Sequence, residues 1–214
     1  MLLKRGAEAV VTSVSFDGIK AVLKERIRKN YRIEELDKKL RSQRTRSEAR
    51  LTGEAKRAGI KTAAIYSTDE KNFKIFFEDL DGTLLKNAFD SDNNAHIAKI
   101  AEKWGADAAK LHGSGIIHGD LTTSNLIVVG DELYFIDFGL AFFSKREEDR
   151  AEDINLLRQS VEATHSKIAE LIWKHFIEGY SAHSTNASTI KRAAAIASRG
   201  RYSKRSKPLK IADA

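Results

Sequence analysis

The sequence predicts an α+β fold of two lobes, a small β-rich lobe followed by a helical lobe. Short stretches that alternate apolar and polar residues dominate the first third of the chain, whereas apolar residues recur with helical spacing from residue 93 onwards. The two patterns meet near residues 78–84. We therefore predict an N-lobe over residues 1–80, a C-lobe over residues 81–197 and a C-terminal tail over residues 198–214.

The N-lobe is predicted to contain four strands and one helix. Two strands within residues 8–24 flank Asp17-Gly18, a dipeptide typical of tight hairpin turns. A helix is predicted over residues 33–50, where a sparse apolar stripe runs among many charges. Two further strands are predicted at residues 63–68 and 72–79, because apolar and aromatic residues there flank a polar turn.

The C-lobe is predicted to be mainly helical. Apolar residues at spacings of three and four predict a helix over residues 93–112 with one buried face, formed by Ile97, Ile100, Trp104, Ala108 and Leu111. Two short strands, at residues 125–129 and 133–136, form a predicted hairpin. One long helix is predicted over residues 151–178.

The composition is that of a globular chain without disulfides. Hydrophobic residues make up 42% of the 214 residues, which is enough for a packed core. Because there is no cysteine, disulfides, thiol nucleophiles and cysteine-ligated metal sites are excluded. No apolar run reaches the roughly 18 residues of a membrane span, and no signal peptide is recognisable. These features predict a cytoplasmic protein without membrane contact.

The net charge of +7 is distributed unevenly along the chain. Residues 20–50 and residues 188–214 each carry a net charge of +7, and residues 51–187 between them carry −7. Basic segments of this kind favour a polyanionic partner such as nucleic acid, since phosphate contacts need no particular sequence. Solvated helix faces and a disordered tail are the alternative.

Three oxygen-bearing residues in the middle of the chain carry the chemistry. Asp120 and Asn125 lie on a loop that leads into the predicted hairpin, and Asp137 follows the second strand of that hairpin. Carboxylate and amide oxygens gathered at its mouth suit Mg²⁺, which prefers hard oxygen ligands and keeps phosphates and water in its shell. This pattern predicts phosphoryl transfer from ATP, with Asp120 as the catalytic residue and Asn125 and Asp137 as metal ligands. Taken singly, the three could instead be a helix cap, a turn residue and part of a β-turn.

The pattern HGDxxxxN followed by DFG resembles the protein-kinase-like fold, with glycine in place of the usual arginine before Asp120. The resemblance implies a lysine on an N-lobe strand, paired with a glutamate on the following helix. Lys24 and Glu48 occupy those places. It also implies that the adenine of ATP meets the backbone at the linker that includes Glu78 and Leu80.

The loop that covers the nucleotide phosphates in kinases has only a partial counterpart. The sequence contains no GxGxxG, and the candidate segment consists of Gly6, Ala7, Glu8 and Ala9. Its backbone N–H groups could bind phosphates. An ordinary turn between strands is the alternative.

A narrower resemblance covers roughly residues 5–206. The run KERIRKNYRIEELD and the later RTRSEARL resemble the small kinase/ATPase subunit of the KEOPS complex, found in archaea and eukaryotes. The matching positions are Lys24, Arg26, Lys29, Tyr31, Arg32, Leu36, Asp37, Arg44, Thr45, Glu48, Ala49, Arg50 and Leu51. The sequence departs from the family where Ile33-Glu34 replaces its usual His-Pro.

This resemblance implies an ATPase that can autophosphorylate on serine or threonine, with ATP and Mg²⁺ as cofactors. It implies a threonylcarbamoyl-transferase subunit and small KEOPS subunits as partners in making threonylcarbamoyladenosine in tRNA. The basic helix and tail are then expected to contact the transferase or tRNA. The tail residues concerned are Arg199, Arg201, Lys204, Arg205 and Lys207. A solvated, flexible tail is the alternative.

The resemblance also implies that Asp153 braces the catalytic loop, the alternative being an acidic residue favoured by the helix dipole. Two other functions remain open. A small-molecule phosphotransferase of the aminoglycoside or choline kinase type would need a large insertion after DFG, where only a short segment follows Phe143. A nucleotide-binding scaffold without turnover would fit the missing glycine-rich motif.

Overall fold

The N-terminal part of the computed structural model is a five-stranded antiparallel sheet with one long helix beside it. The structure describes residues 1–6, 8–91, 93–184 and 188–205. The strands follow the order β1-β2-β3-β5-β4 across the sheet. Their bounds are β1 Leu2–Arg5, β2 Ala9–Phe16, β3 Ile19–Arg26, β4 Ile65–Asp69 and β5 Lys74–Glu78, and helix α1 spans Glu34–Arg57 between β3 and β4.

The hairpin of β2 and β3 forms as predicted around Asp17-Gly18. Phe16 pairs with Ile19 at its end, so the turn has two residues. Both turn residues have positive φ, 49° for Asp17 and 80° for Gly18. Such a turn matches the twist of the two strands and fixes the register along the whole hairpin, in which Val11 pairs with Lys24.

Helix α1 ends seven residues later than predicted, at Arg57 instead of residue 50. Leu51 and Ala55 in the extension are both buried in the core. The chain then turns back through Gly59, whose φ of 83° suits glycine. The apolar pattern predicted too early an end for α1, because most of the buried face of this helix is formed by polar and charged residues such as Asp37, Thr45 and Glu48.

The C-terminal part consists of helices around short strand pairs. The chain leaves the five-stranded sheet between β5 and β6, around the predicted boundary at residue 80, and we propose that boundary for the two lobes. The helices are α2 Leu85–Ser91, α3 Asn94–Gly113, α4 Glu147–Thr164, α5 Ala169–His183 and α6 Ser188–Arg205. The strands are β6 Thr83–Leu84, β7 Ile116–Ile117, β8 Leu126–Val129, β9 Glu132–Phe135 and β10 Phe142–Phe143.

The prediction of one helix over residues 151–178 is wrong, because the structure has two helices there, α4 and α5. The break follows Thr164, where the backbone of His165 leaves the helical region at φ −125° and ψ 45°. The His165 side chain is buried, lies edge-on to Phe89 and shares a hydrogen bond of 3.2 Å with the Thr123 hydroxyl. The break between α4 and α5 therefore coincides with tertiary contacts of the His165 side chain, and no glycine or proline occurs there.

The tail predicted from residue 198 begins inside a helix, since α6 continues to Arg205. An ion pair between Arg192 and Glu148 joins α6 to α4. Among the helices of the described ranges, none is both long and apolar enough to cross a lipid bilayer.

Two glycines allow helices α3 and α5 to touch backbone to backbone. A Cβ added to Gly179 would lie 1.9 Å from the Glu102 carbonyl oxygen, and one added to Gly105 would lie 2.0 Å from the Phe176 carbonyl oxygen. Trp104 packs edge-on against Phe176 at this crossing, with ring centroids 5.4 Å apart. The close packing of α3 on α5 thus depends on two positions with no side chain.

We expect Gly179→Ala to lower the free energy of unfolding by at least about 2 kcal/mol, because the helices must move apart. Gly53→Ala is the matched control. Gly53 lies inside α1, and a Cβ added there would have no atom within 4 Å, so alanine should raise the free energy of unfolding by roughly 0.5–1 kcal/mol. Urea denaturation measures both changes, and similar values for the two variants would contradict the close approach.

Candidate active site

Lys24 lies between two carboxylates that come from distant parts of the chain. Its Nζ is 2.6 Å from Glu48 Oε1 and 2.7 Å from Asp137 Oδ1. Lys24 lies on β3 and Glu48 on α1, while Asp137 follows β9. The sheet, the long helix and the C-terminal hairpin therefore meet at this one ammonium group.

The charges in this cluster reinforce one another. Burial acts to lower the pKa of Lys24, but the carboxylates of Glu48 and Asp137 more than offset this, and the pKa of Lys24 is raised. Burial likewise acts to raise the pKa of Asp137, yet the Lys24 ammonium and a hydrogen bond from the Gly139 N–H bring that pKa below its usual value. At neutral pH Lys24 is therefore cationic and Asp137 anionic.

Arg26 also belongs to this cluster, although it was not among the predicted site residues. Its Nη2 donates to Glu48 Oε2 at 2.5 Å, so the Glu48 carboxylate is shared between two cations. Lys24 and Arg26 are two residues apart on one strand, which places both side chains on the same face of the sheet. The spacing of two residues from Lys24 on a predicted strand was the signal in the sequence that could have identified Arg26 as a site residue.

Asp120 and Asn125 lie together at the start of the β8–β9 hairpin. The Asn125 side-chain amide donates to both the Asp120 carbonyl oxygen and its Oδ2, at 2.9 and 2.8 Å. The Ile136 N–H donates to the Asn125 carbonyl oxygen at 3.0 Å, so the residue before Asp137 is fixed to Asn125. The hairpin brings all three predicted residues to one end, as the spacing indicated.

These residues fit a magnesium ion that shares its shell with phosphates. The Asn125 side chain binds Asp120 through its Nδ2 alone, so its Oδ1 takes no part in these bonds and could coordinate a metal. The Asp137 side chain is 39% exposed, so one carboxylate oxygen can reach a metal while Oδ1 holds Lys24. Within the described ranges no group of three His, Asp or Glu side chains could hold an ion. A site with few protein ligands suits Mg²⁺ bound with a nucleotide.

Asp153 holds the backbone that leads into Asp120. Its Oδ2 accepts from the His118 N–H and its Oδ1 from the Gly119 N–H, both at 2.9 Å, and His112 Nε2 lies 3.1 Å from Oδ2. The Tyr180 hydroxyl in turn lies 2.9 Å from His112 Nδ1. Burial acts to raise the pKa of Asp153, but the hydrogen bond and charge of His112 and the backbone donors bring it below its usual value. Asp153 is the seventh residue of α4, so it acts through these contacts and not as a residue of the first turn.

The glycine before Asp120 is required by the backbone. Gly119 has φ 76°, a conformation that side chains disfavour, and a Cβ there would lie 2.5 Å from the Leu140 carbonyl oxygen. This close approach explains why the sequence has HGD and not the arginine form.

The segment after Asp137 is paired to the strand that precedes the catalytic loop. β10 pairs antiparallel with β7, in the register Phe142 with Ile117, and the Ser144 N–H donates to the Gly115 carbonyl oxygen at 2.8 Å. Phe138 is buried, with its ring centroid 4.9 Å from that of His118. Backbone hydrogen bonds therefore connect the segment that follows Asp137 to the strand that precedes Asp120.

The predicted nucleotide-binding segments lie at the ends of the sheet strands. In the first, the Gly6 N–H donates to the Ala9 carbonyl oxygen at 2.9 Å, and Ala7 lies outside the described residues. The Glu8 carboxylate pairs with Arg44 of α1 and lies 3.5 Å from Arg32, so it is directed to the helix.

At the linker, Glu78 Oε2 accepts from the Ala64 N–H at 3.0 Å, so this side chain fastens β5 to the start of β4. The Leu80 carbonyl oxygen accepts from the Gly82 N–H at 2.9 Å. Of the predicted tail contacts, Arg199, Arg201, Lys204 and Arg205 fall on the backbone of α6, and Lys207 lies outside the described residues.

The RIO domain family matches residues 12–166 of this chain, a range that includes every residue of the cluster and the catalytic loop. The chain belongs to the RIO domain family. Among solved structures, this RIO domain is similar in fold to WaaP in complex with acyl carrier protein, with a TM-score of 0.66 at 14% identity, covering 95% of this chain and 87% of that one. It is also similar to the Rio2 kinase of Chaetomium thermophilum, with a TM-score of 0.62 at 15% identity, covering 95% and 72%. The α+β kinase-like fold predicted from the sequence is confirmed.

Within the family, this RIO domain resembles proteins of tRNA modification. It is 38% identical to the KEOPS complex subunit Bud32 of Pyrococcus abyssi, covering 96% of this chain and 97% of the relative. It is 42% identical to a probable bifunctional tRNA threonylcarbamoyladenosine biosynthesis protein of Methanosarcina mazei. That match covers 94% of this chain and 35% of the relative, so the chain spans about a third of the length of such bifunctional relatives. The resemblance to an atypical kinase-like KEOPS subunit is confirmed.

Proposed function

We propose that this RIO domain is a Mg²⁺-dependent ATPase and atypical serine/threonine kinase of the KEOPS complex. The observation that carries the proposal is the convergence of Lys24, Glu48 and Asp137 beside the bonded pair of Asp120 and Asn125. Phosphoryl transfer needs a cation that binds the phosphates, oxygen ligands for a metal, and a carboxylate that orients the attacking group. The names of the relatives support KEOPS membership and a role in forming threonylcarbamoyladenosine in tRNA.

In this proposal each residue has one task. Lys24 binds the α- and β-phosphates, and Glu48 positions Lys24. Asn125 and Asp137 would hold Mg²⁺, which supplies positive charge against the developing phosphate charge. Asp120 orients the attacking water or hydroxyl and accepts its proton. Gly6, Glu8 and Ala9 would border the phosphates, and the backbone at Glu78 and Leu80 would meet the adenine.

The partners in the proposal are a threonylcarbamoyl-transferase subunit and the small KEOPS subunits, in the cytoplasm. The exposed cations of α1, among them Lys38, Lys39 and Arg46, would contact an anionic partner such as tRNA. The tail residues Arg199, Arg201, Lys204, Arg205 and Lys207 would do the same. A small-molecule kinase is disfavoured, because residues 138–146 leave no substrate-binding insertion before α4.

The test follows the γ-phosphate of labelled ATP with Mg²⁺, first for this chain alone and then with a transferase subunit and tRNA from the same source. We expect label in inorganic phosphate, released faster when the partners are present, and some label on serine or threonine without them. Asp120→Asn is the negative control, since its amide cannot accept the proton. Binding of ATP without any hydrolysis, even with partners, would contradict the proposal and favour the scaffold. Label on amino-sugars or choline would favour the small-molecule kinase.

A further inference from the structure

The charge balance around Glu48 poses a problem for the proposed reaction. Lys24 is the only cation within contact of Asp137 in the described structure, and it also contacts Glu48. When Lys24 binds the phosphates as proposed, its one positive charge is shared among the phosphates, Asp137 and Glu48. The Glu48 carboxylate is 1% exposed, and a buried carboxylate that loses its cation is strongly destabilised. Glu48 therefore needs a second positive charge that does not take part in nucleotide binding.

Arg26 supplies that charge. Its side chain is 6% exposed and its Nη2 binds the Glu48 oxygen that Lys24 leaves free. Arg26 has no acidic partner in the described structure other than Glu48. Its Nε is buried without a hydrogen-bond partner in the described part of the chain, so Glu48 is the contact that orients the guanidinium.

The same pair borders the turn that carries Asp137. A Cβ added to Gly139 would lie 3.2 Å from Arg26 Nη2 and 3.5 Å from Glu48 Oε2, so the turn packs directly on the two side chains. Behind them, the Arg26 N–H donates to the Phe73 carbonyl oxygen at 3.0 Å, which anchors the end of β3. Arg26 is thus fixed to the sheet, while Glu48 belongs to α1.

We propose that Arg26 is a positioning residue, which holds Glu48 in place beside Lys24 so that Lys24 can bind the phosphates of ATP. The proposal rests on the proposed function, since it assigns Arg26 a part in the same site. Arg26 does not touch the nucleotide in this scheme. It acts by keeping α1 and its glutamate in place whether or not Lys24 contacts them.

The test is a double-mutant cycle between Arg26 and Glu48, read out as ATP affinity and as KM and kcat for ATP hydrolysis. We expect Arg26→Met to weaken ATP binding about tenfold in the wild-type background and less than about twofold in Glu48→Gln, because the effect passes through Glu48. Arg26→Lys, which restores a cation, should recover most of the affinity. Arg57→Met is the matched control. Arg57 lies at the exposed end of α1, the helix that also carries Glu48, and it pairs there with Glu54.

Thermal unfolding of every variant separates positioning from folding, and Arg26→Gln replaces Arg26→Met if the latter does not fold. Equal weakening of ATP binding by Arg26→Met in both backgrounds would overturn the proposal, since Arg26 would then act independently of Glu48. Lys24→Met separates this proposal from the proposed function on which it rests. If Lys24→Met binds ATP as tightly as the wild type, the proposed function fails and this inference fails with it.

Discussion

Asp137→Asn is expected to reduce ATP turnover roughly a thousandfold while the protein stays folded. The asparagine keeps the size of the side chain and tolerates the left-handed backbone of this residue, at φ 63° and ψ 65°. It removes the negative charge that would face Mg²⁺, and several kcal/mol of charge stabilisation at a metal correspond to such a factor. Phosphate release at saturating ATP measures the loss, and circular dichroism reports the fold.

The matched control for this variant is Asp131→Asn. Asp131 lies in the turn between β8 and β9 and pairs on the surface with Lys99, so its loss should leave the rate unchanged. Titration with Mg²⁺ adds a second readout, because the Asp137 variant should need a higher concentration of the ion. Wild-type phosphate release by Asp137→Asn would refute the assignment of Asp137 as a metal ligand.

Asp153→Ala is expected to lower the free energy of unfolding by about 3–5 kcal/mol and to reduce turnover in the fraction that remains folded. Alanine would leave the N–H groups of His118 and Gly119 without an acceptor in a buried site. Since Asp120 follows Gly119 directly, loosening these two peptides also displaces the proposed catalytic carboxylate. Urea denaturation gives the stability, and phosphate release gives the activity.

Measuring stability over a range of pH tests the role of Asp153 by the direction of the change and not by its size. The pKa of Asp153 is lower in the folded protein than its ordinary value, so the stabilisation is present above the unfolded-state value of about 4. It is lost as the pH falls through the folded-state pKa. The difference in stability between wild type and Asp153→Asn should therefore narrow on acidification. The exposed neighbour Glu152, changed to alanine, should shift stability by less than about 0.5 kcal/mol, and an equal loss there would contradict the bracing role.

Local signals predicted most of the fold. The β2–β3 hairpin follows from Asp17-Gly18, and the buried face of α3 follows from apolar residues at helical spacing. The break between α4 and α5 could not be predicted in this way. No helix-breaking residue occurs there, and the buried side chain of His165 contacts Phe89 and Thr123, which are distant in sequence.

The sequence predicted those residues of the candidate site whose spacing is typical of kinases. Asp120, Asn125 and Asp137 come together because the hairpin forces them to one end, and Lys24 meets Glu48 because strand and helix follow each other. The supporting contacts were harder to foresee. The sharing of Glu48 between two cations depends on how α1 packs on the sheet, and the contact of His112 with Asp153 depends on where α3 and α4 lie in the C-lobe. Such contacts are set by tertiary packing, which a single sequence does not encode locally.

The strand pairing of β10 with β7 has a consequence for inhibitors. A compound that requires Phe138 to leave the core would also have to break the backbone hydrogen bonds around Phe142 and Ser144. Within the described residues, Phe138 and this strand pair therefore oppose the opening of a pocket behind Asp137. A ligand for the proposed nucleotide site would instead contact the side chains around Lys24, where Arg26 lies on the same face of the sheet.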